Sequence, residues 1–249
     1  MVLSRWLAVA LAGTLALGTW AFAKEKDKPE GARSVDSGSF GVFKNGQRIA
    51  TENFSIQDSS NGKVIAAQFK TEGGSEPNSQ SSELRLSAGG DLVRYQWREL
   101  VPGKSELTVV PNDQFLLERI TNGPSDKPAE QPFLMPTSTM VLDNNSFVQR
   151  EVLAWKYLAA NCARQGTAFK CSQAPAQFGV IIPQERISMS VTMELVGKEK
   201  VRINNTDREL MRLNLKDDIG QWAIWVDDQN MFKLMRIIVA GDNTEILRD

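Results

Sequence analysis

Short segments in which apolar and polar residues alternate recur along most of the chain. They occupy residues 40–120 and 178–248 and are separated by turns rich in Gly, Asn, Asp and Pro. Such alternation places one side of a strand against a core and the other against water. The strongest turn signal is Asn45-Gly46, because both central residues of a type I′ hairpin turn need a positive φ. The pattern predicts about 11–13 antiparallel strands.

The segment between these two runs, residues 147–160, has a helical period instead. Its apolar positions fall on one stripe, namely Val148, Val152, Trp155 and Ala159. Its polar positions include Gln149, Arg150, Glu151 and Lys156. Ser146 and Gln149 have the spacing of a capping box, in which two side chains satisfy free backbone N–H groups of the first turn. We therefore expect an amphipathic helix that begins near Ser146 and packs on the strands.

Together these elements predict a mainly β fold. A single curved antiparallel sheet or an incomplete β-barrel is covered by one amphipathic helix, and residues 37–249 form one β-barrel-like domain. The concave side of such a sheet is either filled with side chains or holds an apolar ligand, and both alternatives stay open. The candidate ligand-binding residues are the apolar side chains Phe147, Val148, Trp155 and Trp222.

The N-terminal 23 residues have the features of a secretory signal peptide. A short basic start ends at Arg5, an apolar run follows, and small residues stand at Ala21 and Ala23. We expect cleavage after Ala23, a periplasmic or secreted location, and a flexible charged leader over residues 24–36. An uncleaved membrane anchor is the alternative, although glycines break the apolar run. After cleavage, no integral membrane segment remains in the sequence.

The two cysteines, Cys162 and Cys171, fit an exported chain. Disulfides persist in oxidising compartments, so we expect these residues to form a local disulfide. Two free buried thiols are the alternative. A redox role would favour the closer Cys-x-x-Cys spacing.

Composition excludes several kinds of chemistry. The chain contains no histidine, which removes Ser-His-Asp and Cys-His catalysis and imidazole zinc sites. Its net charge of −1 gives no electrostatic footprint for nucleic acid. Its acidic turns lack the ligand spacing of a calcium loop. We therefore predict no metal site, no cofactor and no nucleic-acid partner.

One motif, Asp36-Ser37-Gly38-Ser39, resembles the loop that carries the catalytic carboxylate of aspartic proteases. Those enzymes need two aspartates that share one proton. No second Asp-Ser/Thr-Gly occurs in the sequence. An aspartic-type hydrolase is therefore a remote alternative, and we predict no catalytic residue.

Four stretches carry a resemblance to known proteins: "GSFGVFKNGQRIATENFSI", "VLDNNSF", "FGVIIPQE" and "WAIWVDDQNMFKLMRIIVAGDNTEILRD". They resemble an uncharacterised group of exported bacterial β-barrel proteins, which is distantly similar to the periplasmic lipid or lipoprotein carriers of the LolA and LppX type. The resemblance implies a half-open β-barrel with helices that cover an apolar cavity. Only one long helix is predicted in this chain.

These observations favour an exported, non-catalytic binding protein of the cell envelope. We expect it to hold a lipid, a lipoprotein or another apolar ligand between the curved sheet and its helix. A structural or protein-interaction module with a filled barrel is the alternative. The sequence identifies neither the ligand nor a protein partner.

Overall fold

The computed structural model describes residues 31–73, 77–123, 125–166, 168–217 and 220–249. Nine strands precede the helix: β1 (Arg33–Lys44), β2 (Gln47–Ser59), β3 (Gly62–Thr71), β4 (Ser79–Leu86), β5 (Leu92–Val101), β6 (Glu106–Asn112), β7 (Phe115–Thr121), β8 (Ala129–Phe133) and β9 (Met140–Val141). The helix α1 spans Val148–Asn161. Eight strands follow it: β10 (Cys162–Gln165), β11 (Ala168–Cys171), β12 (Ala176–Ile182), β13 (Ile187–Ile203), β14 (Thr206–Lys216), β15 (Gln221–Asp227), β16 (Lys233–Val239) and β17 (Thr244–Arg248).

Fifteen of the described strands form one open sheet. Its order is β8-β7-β6-β5-β4-β3-β2-β1-β17-β16-β15-β14-β13-β12-β9, and every neighbouring pair is antiparallel except β9 with β12. The first meander therefore runs from β1 in the middle of the sheet to the edge strand β8, and the second returns to the middle, where β17 pairs with β1. β10 and β11 form a separate hairpin. The predicted mainly β fold, with a single open sheet and one helix, is confirmed.

The predicted number of 11–13 strands is too low, because several short strands lie in sequence that favours loops. β8 contains Pro132, which cannot donate a backbone hydrogen bond, but β8 is an edge strand and tolerates it. β9 has only two residues, too few to produce a visible alternation. In β13, a bulge at Gly197 separates two segments that belong to one strand of 17 residues.

The first hairpin forms as the sequence predicts. Asn45 and Gly46 have φ values of 51° and 78°, as the tight turn between β1 and β2 requires. This turn fixes the register and places Phe40 and Phe54 on the same buried face. Their rings stack with centroids 4.7 Å apart.

The boundary of the predicted leader needs correction. β1 begins at Arg33, and Asp36 is already buried and paired with Ile56 of β2. The last four residues of the predicted leader, 33–36, are therefore part of the sheet. The predicted signal peptide, residues 1–23, and the leader over 24–30 lie outside the described residues. Within the described part of the chain, no helix has the length and hydropathy needed to cross a membrane.

The core lies between one face of the sheet and α1, which runs across the concave side. The predicted polar positions of this helix need correction, since Gln149, Arg150 and Glu151 are buried together with Val148 and Val152. In its first two turns the helix is enclosed on all sides. Each buried polar side chain there must consequently find a partner inside the protein.

Cys162 and Cys171 form the predicted disulfide. They lie directly opposite each other in the β10–β11 hairpin, immediately after α1. The bond therefore closes a short local loop and holds the end of the helix to that hairpin.

Reduction of this disulfide is expected to lower the free energy of unfolding by about 2–3 kcal/mol, because the unfolded chain regains the entropy of a short loop. Urea unfolding with and without a phosphine reductant measures the difference. A double variant, Cys162→Ser with Cys171→Ser, should match the reduced protein and ignore the reductant. Equal unfolding midpoints for the oxidised and reduced protein would contradict the expectation.

Candidate functional site

The N-terminus of α1 is capped by a carboxyl group that comes from the sheet. Glu52 on β2 accepts the backbone N–H groups of Phe147 at 2.8 Å and Val148 at 3.4 Å. The hydroxyl of Ser146 lies 3.2 Å from the same carboxyl group. The predicted capping box is therefore wrong, because Gln149 accepts a backbone N–H upstream of the helix instead. A residue far away in sequence replaces the local cap.

Glu52 is completely buried. Burial raises the pKa of this carboxyl from 4.5 to about 8, although the hydrogen bonds from the start of α1 act in the opposite direction. At neutral pH the group is mostly protonated. The Ser146 hydroxyl donates to one oxygen of this carboxyl group, and the Phe147 N–H donates to the other.

A second set of buried polar side chains organises the residues just before the helix. Asp143 accepts the hydroxyl of Tyr95 and the backbone N–H of Asn145, the latter at 2.8 Å. Gln184 donates to the Tyr95 hydroxyl at 3.1 Å. Arg150 donates to the backbone carbonyl of Asp143. We call Glu52 and these groups the helix-start network.

Burial shifts the pKa values of the charged members of this network in opposite directions. It lowers the pKa of Arg150 to about 10, so the guanidinium stays charged at neutral pH. It raises the pKa of Asp143, against the hydrogen bond from Tyr95. The positive charge of Arg150 acts against this rise and lowers the pKa of Asp143.

Three of the four predicted ligand-binding residues surround this network. Phe147 and Val148 are buried in the packed core. The guanidinium of Arg150 lies 4.5 Å from the ring centroid of Trp222 and 5.6 Å from that of Phe147. Trp222, which is half-buried, thus covers a buried cation.

Asp36 belongs to a different ion-pair network at the middle of the sheet. One nitrogen of Arg248, on β17, lies 2.7 Å from each oxygen of Asp36, and Lys233 of β16 lies 3.1 Å away. Arg248 also lies 3.7 Å from Glu151 of α1. The network therefore joins β1, β16 and β17 to the helix.

The two carboxyl groups of this network have opposite protonation preferences. Burial and the neighbouring Asp36 carboxylate raise the pKa of Glu151 well above its usual range. Burial alone would raise the pKa of Asp36, but the hydrogen bonds from Arg248, Glu151 and Lys233 lower it overall. The Glu151 carboxyl therefore favours the protonated form, whereas the Asp36 carboxyl favours the ionised form.

Aspartic proteases use two neighbouring carboxyl groups that share one proton. Here, however, the side chains of Asp36 and Glu151 are only 1% and 0% exposed, and Arg248 occupies both oxygens of Asp36. The geometry is that of an ion pair that joins sheet and helix.

The fourth predicted residue, Trp155, lines an apolar opening between α1 and the turn that joins β4 to β5. We call it the α1 cleft; it has a volume of about 270 Å³. Its walls come from the helix, the turn and the strands β3, β4 and β9: Val152, Trp155, Lys156 and Ala159; Ala88, Gly89 and Gly90; Lys63, Leu86 and Met140. The indole N–H of Trp155 donates to the carbonyl of Phe232 at 2.9 Å, which fixes the ring.

Another opening, of about 380 Å³, lies across β3 to β6 and is larger. Its lining includes Glu83, Gln96, Arg98 and Glu106, which are polar or charged. The α1 cleft, by contrast, is lined mostly by apolar atoms. Ligand sites for small molecules are usually apolar with a few polar groups, so we regard the α1 cleft as the candidate site.

Sequence reasoning placed Trp155 at the candidate site but missed the two lysines at the cleft, Lys63 and Lys156. It also missed Glu52 and Glu151 as buried acids. Within the described residues, no three acidic or cysteine side chains come together as a possible metal site.

No family model, no curated protein and no solved structure matches the chain. The resemblance to exported lipid and lipoprotein carriers therefore stays a prediction from the sequence.

Two substitutions at Glu52 distinguish the role of its hydrogen-bonding shape from the role of its charge. At pH 6 we expect Glu52→Gln to retain the free energy of unfolding within about 1 kcal/mol, because glutamine resembles the protonated acid. Glu52→Ala should lose about 1–3 kcal/mol, because the N–H groups of the first turn lose their acceptor.

The same residue should make stability depend on pH. The pKa of Glu52 is higher in the folded than in the unfolded protein. Its favourable contribution to the free energy of unfolding is therefore complete below pH 4.5 and is lost as the pH rises through about 8. Each pKa unit corresponds to about 1.4 kcal/mol. Urea unfolding at pH 5 and pH 9 measures the effect. Between these two pH values, the free energy of unfolding should fall less for Glu52→Gln than for the wild type. An equal fall in the free energy of unfolding for both proteins would show that the pKa of Glu52 is not raised in the folded state.

Asp36→Asn should lower the free energy of unfolding at pH 7 by about 3 kcal/mol, because Arg248 loses its buried partner. The pKa of Asp36 is lower in the folded than in the unfolded protein. Its contribution to the free energy of unfolding is therefore present above pH 3.8 and is lost as the pH falls through the folded-state pKa. The control is Glu106→Gln, which breaks a pair with Arg98 whose side chains are 55% and 61% exposed. It should cost less than about 1 kcal/mol, and equal costs for both variants would contradict the prediction.

Proposed function

We propose that the protein is an exported, non-catalytic binding protein that holds an apolar ligand in the α1 cleft. The observation that carries the proposal is the set of apolar walls around this cleft, with the ring of Trp155 fixed at its side. Elsewhere the concave side is filled by the core and the helix-start network. The ligand therefore has room at the C-terminal half of α1 rather than along the whole helix.

The volume of the cleft limits the size of the ligand. About 270 Å³ lies just below the range of roughly 300–1,000 Å³ that is usual for small-molecule sites. This volume suits one acyl chain or one ring system. It disfavours a lipoprotein with several chains, which the sequence had left open.

The proposed location is the periplasm or the exterior of the cell. The disulfide between Cys162 and Cys171 supports an oxidising compartment. The signal-peptide pattern, with cleavage after Ala23, supports export.

A structural or interaction module is the second candidate. The observation in its favour is the filled core, which leaves most of the concave side without space for a ligand. The two candidates differ in whether purified protein binds an apolar probe.

The proposal predicts that the mature protein binds N-phenyl-1-naphthylamine, a neutral fluorescent probe, and that Ala159→Phe lowers the affinity about tenfold or more. Ala159 is an exposed residue at the cleft, so a larger side chain there occupies the space without disturbing the core. The control is Ala160→Phe, on the next, equally exposed position of the helix, which should leave the affinity unchanged. Absence of binding to the wild type, or equal binding to the Ala159→Phe variant, would favour the interaction module.

A further inference from the structure

We propose that the ligand of the α1 cleft is a single-chain carboxylate amphiphile, a free fatty acid, whose carboxylate binds the ammonium group of Lys156. This inference rests on the proposed function, because it assigns a chemical class to the ligand of the same cleft. It adds a polar recognition residue to a mostly apolar site.

Lys156 has an unused hydrogen-bond donor at the cleft. Its Nζ donates to the carbonyl of Ser138 at 2.8 Å and lies 3.8 Å from the sulfur of Met140. An ammonium group has three donors, and a thioether is a weak acceptor. At least one N–H is therefore available to a ligand.

Lys156 also lacks a direct counter-charge. Within the described residues, no carboxylate lies within salt-bridge distance of its Nζ, and Asp91 acts on it only at longer range. Burial lowers the pKa of Lys156, which reflects the loss of water around the ammonium. A carboxylate from a ligand would form a charge-assisted hydrogen bond with this partly buried ammonium.

The second lysine at the cleft provides a contrast. Nζ of Lys63 lies 3.3 Å from a carboxylate oxygen of Asp58, on the neighbouring strand. This ammonium is already paired inside the protein. Of the two cleft lysines, Lys156 is the one whose charge has no carboxylate partner among the described residues.

The apolar walls lie beside this charge. Val152 and Trp155 precede Lys156 on the helix, and Met140 and Leu86 also line the cleft. One ammonium group balances one monovalent carboxylate, and the small volume admits one chain. A phospholipid, with two chains, is a poorer match in size.

Calorimetric titration with decanoate and with decan-1-ol tests the inference, because the two ligands share a chain and differ in the charged group. We expect the wild-type mature protein to bind decanoate with an affinity about tenfold or more above that for decan-1-ol. One charge-assisted hydrogen bond accounts for a difference of this size. Lys156→Met should abolish this preference, so that decanoate binds no more tightly than decan-1-ol. Lys63→Met, the matched control, should keep the preference.

The outcomes distinguish this inference from the function on which it rests. If the wild type binds neither ligand, the proposed function fails and this inference fails with it. If both bind with equal affinity, or if Lys156→Met keeps the preference for decanoate, the apolar site stands and the role of Lys156 is refuted. Binding of decan-1-ol by each variant also reports that the variant is folded.

Discussion

The contact between Glu52 and the first turn of α1 is the interaction on which the arrangement of the helix depends. A helix that begins inside a curved sheet has no water to accept its first N–H groups, so the surrounding protein must do so. Glu52 supplies the acceptor from β2, and its raised pKa lets it do this largely without a buried negative charge. Once the N-terminus is fixed there, the direction of α1 brings its C-terminal half to the β4–β5 turn. The α1 cleft lies at that meeting point.

Much of the fold could be predicted because local sequence determines it. Alternation defined most strands, Asn45-Gly46 defined the first hairpin, and the helical period defined α1 to within one residue at each end. The short strands were missed for physical reasons. Pro132 in β8 is compatible with a strand only because it lies at an edge, which is a property of the whole sheet and not of its neighbours in sequence.

The site was much less predictable, because its polar side chains find partners far along the chain. Arg150 and Glu151 have the period of solvent-facing residues, and nothing local distinguishes a side chain that faces water from one that faces a buried acid. The partner of Glu151, Asp36, lies on β1 and is itself recognisable only as part of a protease-like motif. The role of Lys156 is equally hard to recognise from sequence, because only the packing of the helix leaves it without a carboxylate partner among the described residues.

The seam between β1 and β17 also determines when the molecule can assemble during synthesis. Asp36 and Arg248, which meet across it, are 212 positions apart. The meander from β1 to β8 leaves the ribosome first, with the edge of β1 open until β17 has been made. Unpaired edges attract strands from other chains, and long-range pairing is slow. A nascent or truncated chain without β17 therefore presents its central strand as an aggregation-prone edge.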